Sequence, residues 1–382
     1  MRILHTADWH LGKMFYGEYL TDEQAYVLTT QFLPLLREER IDAVLLSGDV
    51  YDRSLPPTGA VALFDEIATK VTAELGIPFL VISGNHDSAS RLSFGSALLA
   101  KQGLFITGEL EKVSGPIVLE DAYGPIAFVP VPFAEPAVVR HYRQDDTIRT
   151  HEDALKAMLA VQGNTDIARK ICLAHTFVVG GAVSDSERPL SIGGSDAVHA
   201  DIFEGYAYTA LGHLHGPQQA GRPSVRYAGS LLKYSFGEAR QKKGAVLVDI
   251  DGSGKVETTC IPFTPRHDVR IVEGAFADIL QNTSESGRDD YLLFRLTDTE
   301  PILDGMAKLR QKYPRAMALE TPNRQHAAAS DRAFNVQQTT EAQLFSGFAR
   351  AMQGGRELTD CEQQYVDELW EQLRRQEGEG LL

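Results

Sequence analysis

The sequence predicts a two-sheet α/β sandwich flanked by helices, followed by a small α+β domain and C-terminal helices. Three observations lead there. The first hundred residues alternate apolar strands with amphipathic helices. From Phe105 to about Phe263 short strands cluster. A proline-marked joint then precedes a shorter mixed segment and an amphipathic tail.

Arg2 to Thr6 is an apolar strand running into Ala7-Asp8-Trp9-His10. Thr21 opens a helix with the capping-box pattern Thr21-x-x-Gln24, continuing through Phe32, Leu35 and Leu36 to about Arg40. Ala43 to Ser47 is the next strand and ends in Gly48-Asp49. A helix from about Thr58 to Glu74 leads to a strand from Pro78 to Ser83, which ends in Gly84-Asn85-His86-Asp87. Strand signals then recur at Pro116 to Glu120, Ile126 to Val131, Lys170 to His175, Tyr208 to Gly212, Val225 to Ala228, Ala245 to Ile250 and Lys255 to Ile261. Helical stretches near Glu135 to Tyr142 and Glu152 to Val161 interrupt them, so a mixed second sheet packed on the first is expected.

Pro262-Phe263-Thr264-Pro265 marks a joint, which gives domains of 1–265, 266–340 and 341–382. The middle one carries strands at Val269 to Val272, Tyr291 to Leu296 and Ala316 to Leu319, with a helix from Pro301 to Lys312. Gln325 to Gln338 reads as a linker. The last segment holds two amphipathic helices. Leu344, Phe345, Phe348 and Met352 stripe the first; a capping box at Thr359-x-x-Glu362 leads Tyr365, Val366, Leu369 and Leu373 in the second.

The 37 basic and 52 acidic side chains leave a net charge of −15, which excludes a surface that is a basic footprint throughout. A local phosphate site remains open, because bound cations can supply the charge there. No apolar run approaches the roughly 18 residues of a membrane helix. The start, Met1-Arg2-Ile3-Leu4-His5, leads directly into a strand without a secretory signal pattern, so a cytoplasmic setting is expected. Three scattered cysteines, Cys172, Cys260 and Cys361, form neither a disulfide framework nor a zinc ribbon. No Gly-x-x-x-x-Gly-Lys-Ser/Thr occurs, so any use of ATP falls to a partner.

Five motifs each follow an apolar strand: Asp8-Trp9-His10, Gly48-Asp49-Val50-Tyr51-Asp52, Gly84-Asn85-His86-Asp87, a lone His175, and Gly212-His213-Leu214-His215. Open α/β sheets bind ligands at that carboxyl edge. Singly, each motif is ordinary turn or surface chemistry; together they supply an Asp, Asn and His donor set suited to Mn²⁺, Fe²⁺ or Zn²⁺. Asp8 and His10, like His213 and His215, are two residues apart at a strand end and can grip one ion together. Asp49 would bridge two ions, one oxygen on each, and ions roughly 3.5–4 Å apart would clamp a phosphoryl group and activate a water. His5, His141, His151, His199, His267 and His326 fit no motif.

This constellation resembles the calcineurin-like metallophosphoesterases over about the first 260 residues. The resemblance implies one ion on Asp8, His10, Asp49 and His215, and another on Asp49, Asn85, His175 and His213. It implies that His86 contacts the phosphate and helps the leaving group depart, with Asp52 behind it as the orienting group.

The segments Ser184-Asp185-Ser186-Glu187-Arg188 and Tyr227 to Glu238 narrow the resemblance to the SbcD family, the nuclease subunits of bacterial SbcCD complexes that process DNA double-strand ends and hairpins. It implies a DNA-touching cap over 266–340, tail helices docked on an SbcC-like SMC-family ATPase, a homodimer, and two divalent ions, with Mn²⁺ preferred. Lys308, Arg310, Lys312 and Arg315 fall around the cap helix rather than on one face, a weak phosphate track. Two rivals stand beside this reading. Gly48 to Arg53 resembles the Asp-Arg pair of protein phosphatases, but Ser54-Leu55-Pro56-Pro57 follows it, and the tail has no place in such an enzyme. A scaffold without turnover has no need of an intact donor set plus His86.

Overall fold

The computed structural model describes residues 1–110, 115–187, 197–282, 284, 286–322 and, in the tail, 345, 349, 358–366, 368 and 369. The first sheet contains β1 (Arg2–Thr6), β2 (Ala43–Ser47), β3 (Phe79–Ile82) and β4 (Leu104–Thr107). The second contains β5 (Ile117–Asp121), β6 (Gly124–Val131), β7 (Lys170–His175), β8 (Tyr208–Gly212), β9 (Gln218–Ala220) and β10 (Arg222–Tyr227). The chain then returns to the first sheet with β11 (Gly244–Ile250) and β12 (Val256–Pro262).

The strand orders are β12-β11-β1-β2-β3-β4 and β9-β10-β8-β7-β6-β5. β1 to β4 are parallel, as are β6, β7, β8 and β10; antiparallel partners finish the edges. The parallel strands read as unbroken apolar runs because both faces are covered. Alternation divides each run between two cores. Phe128, Ile171 and Leu173 point to a cluster with Ile3, Leu45 and Ile82 of the first sheet. Val129, Cys172 and Ala174 point to the opposite cluster, where the helix His151–Gln162 packs with Leu155 and Met158. Leu173 is fully buried, and truncating it to Ala is expected to cost about 2–5 kcal/mol.

The helix expected from Thr21 runs Thr21–Val27, passes a π-helical turn at Leu28–Phe32 and resumes at Leu33–Glu38. Pro34 lacks the N–H that an unbroken helix would use there. The capping box at Thr21 does not form: the N-cap is Leu20, without a side-chain bond, and the Gln24 amide is buried elsewhere. Leu104–Thr107, Gln218–Ala220 and the two-residue strands Met14–Phe15, Glu18–Tyr19, Phe177–Val178 and Ala197–Val198 go beyond those the sequence predicts, and the helix expected from Pro301 begins at Gly305.

The chain divides into two compact units: Met1–Ile271 with Ser284–Leu293 and Tyr313–Met317, and the described residues of Val272–Thr283, Phe294–Lys312 and Ala318–Leu382. In the second unit Arg295 joins Glu273 at 2.7 Å and Glu320 at 3.1 Å. Lys312 donates to the Leu280 carbonyl at 2.6 Å, closing the end of the helix Phe276–Gln281 rather than projecting as a phosphate contact. The linker at 325–338 and Leu344, Phe348, Met352 and Leu373 lie outside the described residues. The capping box expected in the tail is present: Thr359 N donates to Glu362 Oε2 at 2.8 Å, and Glu362 N to Thr359 Oγ1 at 3.4 Å. Among the described residues no helix is long and apolar enough to cross a membrane.

Candidate metal centre

β1, β2, β3, β7 and β8 release their motifs at neighbouring strand ends. Asp8 N donates to the Gly48 carbonyl at 3.1 Å, which joins the ends of β1 and β2, and Ser47 Oγ donates to the Ala210 carbonyl at 3.0 Å, which stitches the two sheets together there. Two glycines allow the close approach. A Cβ on Gly212 would lie 1.8 Å from the Ser47 carbonyl oxygen, and one on Gly84 would lie 2.1 Å from Asp49 Oδ1. Asp8, His10, Asp49 and His213 all take positive φ, at 50°, 44°, 47° and 110°. Backbone strain of about 1–3 kcal/mol per residue persists only where the surroundings enforce it, and it collects at functional sites.

Asp8, His10, Asp49, His175, His213 and His215 are each 5% exposed or less. The structure brings Asp8, His10 and His215 together as one possible set of cation donors. His10 Nε2 and His215 Nε2 face one another at 3.0 Å. Asn85 Oδ1 lies 2.9 Å from His175 Nε2 and 3.3 Å from His213 Nδ1, which gathers a second set. Asp49 stands between them, with Oδ2 3.6 Å from His10 Nε2 and 3.4 Å from His175 Nε2. Its Oδ1 instead accepts the His86 N–H at 2.9 Å. The expected bridge has one oxygen toward each ion; in the structure a single oxygen faces both sides.

His175 Nδ1 meets the Ser47 carbonyl at 2.9 Å. A carbonyl only accepts, so Nδ1 carries a proton, and Nε2, which faces the oxygens of Asn85 and Asp49, takes either a second proton or a metal ion. An arrangement of acceptors facing one another is completed by a cation. Among the described residues neither Asp8 nor Asp49 has a Lys or Arg ion pair, which leaves the same requirement. The donor set therefore fits divalent metal.

Charge behaves accordingly. Burial pushes Asp8 up to about 7, and burial lowers His213 to about 3 and His10 well below the ordinary range. Burial opposes the charge of His175, yet the bond and charge of Asp49 raise it to about 9; Asp49 itself is held well below the carboxylate range by its histidine neighbours against its own burial.

His86 is placed by its main chain on Asp49 and by its ring, whose Nδ1 lies 2.8 Å from the Asp52 carbonyl oxygen. The part of Asp52 that meets the His86 ring is thus its backbone carbonyl. Its carboxylate, expected behind His86, pairs with Lys13 at 2.8 Å. A His86 ring nitrogen comes within 4.8 Å of donor atoms on His10 and Asp49, at the mouth of the first set.

Several supporting residues are not legible as such in the sequence. Gln24 accepts the Gly12 N–H at 3.0 Å and donates to the Trp9 and His10 carbonyls at 3.0 and 2.8 Å, holding the loop that carries His10. Asp87 accepts main-chain N–H groups of Gly84, Val50 and Tyr51 at 2.9, 3.0 and 2.9 Å. Glu238 lies behind His215. Gln24 has the spacing of a capping residue, and Asp87 and Glu238 stand inside recognisable motifs without an evident role; spacing carries no sign of what their side chains meet.

A two-sheet fold with this donor set at its strand ends defines a metallophosphoesterase. The calcineurin-like phosphoesterase family model matches residues 1–217, and a model described as Type 5 capsule protein repressor C-terminal domain matches residues 265–353. The SbcD nuclease subunit of SbcCD from Staphylococcus epidermidis is 38% identical over 322 residues, covering 84% of this chain and 85% of that protein. The chain belongs to this SbcD family of nuclease subunits, and so to the phosphodiester-cleaving hydrolases. Among solved structures, TT1561 of Thermus thermophilus aligns at TM-score 0.38 and 18% identity, over 68% of this chain and 98% of that one. GAP50, the anchor in the inner membrane complex of Plasmodium, aligns at TM-score 0.37 and 15% identity, over 69% and 89%.

Proposed function

We propose that this chain cuts DNA ends and hairpins as a two-ion phosphodiesterase, with Mn²⁺ as the working metal. One observation carries the reading: Asp49 Oδ2 stands 3.6 Å from His10 Nε2 and 3.4 Å from His175 Nε2, between two buried donor sets. Asp8, His10, Asp49 and His215 would hold one ion; Asp49, Asn85, His175 and His213 the other. Bound ions supply positive charge for the phosphoryl oxygens and activate water as the nucleophile.

The chain's own residues arrange the rest. His86, its Nδ1–H tied to the Asp52 carbonyl, would turn Nε2 to the reacting phosphate; in the imidazolium form Nε2 donates a proton to the departing oxygen. Asp49 Oδ1 accepts the His86 N–H, so the bridging carboxylate and the acid are set by one bond. Asp52 meets His86 through its main chain, and its carboxylate stands 3.8 Å from His10 Nδ1.

The same reading extends to partners. The tail exposes Phe345, Tyr365 and Leu369 at 42%, 65% and 42%, apolar side chains that suit docking on an SMC-family ATPase of the SbcC type. Leu55, Val61 and Phe94, exposed by 65%, 45% and 86%, line a cavity of about 540 Å³ that suits a second copy of the chain in a homodimer. The domain boundaries 1–265, 266–340 and 341–382 and a cytoplasmic setting at the nucleoid belong to this proposal. The test is cleavage of a blunt duplex and a hairpin with Mn²⁺, with and without the co-purified ATPase, beside nucleotides and p-nitrophenyl phosphate. Cutting of DNA is expected; turnover of the small esters alone overturns the reading.

A further inference from the structure

We infer that Glu238, balanced by Lys243, is a positioning residue for His215, and that this buried pair governs one of the two ion positions while main-chain bonds govern the other. The inference rests on the two-ion reading above.

Glu238 is fully buried and Lys243 is 4% exposed, and the two form an ion pair at 2.5 Å. Glu238 Oε1 lies 3.2 Å from His215 Nδ1. Ser186 Oγ lies 2.7 Å from the same nitrogen and donates its own proton to Glu238 Oε1. Both oxygens facing Nδ1 are therefore acceptors, which fixes the proton on Nδ1 and turns the lone pair of Nε2 toward His10. Lys243 closes the arrangement by donating to the His215 carbonyl at 2.7 Å. A carboxylate behind a metal-binding imidazole sets its tautomer and raises its basicity.

The other donor set is held differently. His175 has the Ser47 carbonyl at 2.9 Å in the place that Glu238 takes for His215. That bond belongs to the backbone and carries no charge. The two positions should thus differ in how a side-chain substitution reaches them.

The experiment titrates Mn²⁺ into the full chain and follows bound ion by electron paramagnetic resonance and elemental analysis, with Co²⁺ absorption as a second readout. In Glu238→Gln one ion should keep wild-type affinity and the other weaken about 10–100-fold, with the cobalt spectrum changed. Because Glu238→Gln leaves the Lys243 charge without its partner, E238L/K243M, which removes both charges, is measured beside it. The same selective loss is expected. Two ions bound with unchanged affinity in both variants, or equal weakening of both, overturns the inference and leaves the two-ion reading standing. A wild-type chain that binds fewer than two ions overturns that reading itself.

Discussion

The carboxylate of Asp87 accepts the main-chain N–H of Val50 at 3.0 Å, and through it the loop after β3 is fastened to the loop after β2. The same carboxylate accepts from Gly84 and Tyr51. Asp49, between the two donor sets of the proposed centre, and Asn85, in the second set, are thus kept in step by a residue that is itself no donor. Asp87→Asn places an NH₂ group against N–H donors and leaves at least one of them unsatisfied. A loss of about 1–3 kcal/mol is expected, read by thermal or denaturant unfolding. Unchanged stability would remove Asp87 as the fastening.

His86 and Asp49 separate in a second experiment. His86→Ala should keep bound Mn²⁺ and lose cleavage by about 10²–10⁴-fold. Asp49→Ala should lose bound metal together with cleavage. Wild-type cutting by the His86 variant would show that the acid lies elsewhere.

Asp52 gives a sharper contrast. Because the carbonyl, and not the carboxylate, meets His86 Nδ1, Asp52→Ala should preserve the tautomer and lose chiefly the Lys13 pair. Cleavage is expected to fall less than about tenfold, far short of the His86 effect. A loss equal to that of His86→Ala would restore the carboxylate to the orienting role.

Metal removal and pH are linked at His175. Its ordinary value is 6.5 and the folded chain raises it to about 9, so its proton favours the folded state. That contribution is complete below pH about 6.5 and is lost as pH rises through about 9. Asp8 and Asp87, both raised to about 7 by burial, complete most of their change below that window. The chelated protein should therefore lose melting temperature between pH 6.5 and 9, and His175→Gln should flatten the slope. Divalent metal takes the proton's place, so the loaded protein should also be flat. A chelated protein whose melting point does not move over this range contradicts the assignment.

Gly212 tests the approach of the two sheets. Alanine there would put Cβ 1.8 Å from the Ser47 carbonyl that orients His175. Gly212→Ala should weaken metal binding even though it removes no donor, and a metal titration equal to wild type would show that the strand ends have room to move.

Much of the fold was legible in the sequence because strand and helix periods are local. The runs at Lys170 to His175, Tyr208 to Gly212 and Tyr291 to Leu296 agree with their strands residue for residue. The helix from Thr21 shows the limit. Thr21-x-x-Gln24 has the spacing of a cap, but Gln24 is drawn inward to the Gly12 N–H and the Trp9 and His10 carbonyls, which are remote from it in sequence. Local pattern gave way to tertiary hydrogen bonding.

What the sequence determined by itself was the kinds of donor, their order along the chain and their places at strand ends, since these follow from residue identity and from the alternation of strand and helix. Only the tertiary structure decided which atoms meet. It set the Asp52 carbonyl on His86, turned one Asp49 oxygen toward both donor sets, and gave His215 a buried charge pair where His175 has a backbone carbonyl. The physical reason is that hydrogen bonds and charges act over a few ångströms. Residues 128 and 203 positions apart, such as Ser47 with His175 and His5 with Tyr208, become neighbours only when the two sheets pack.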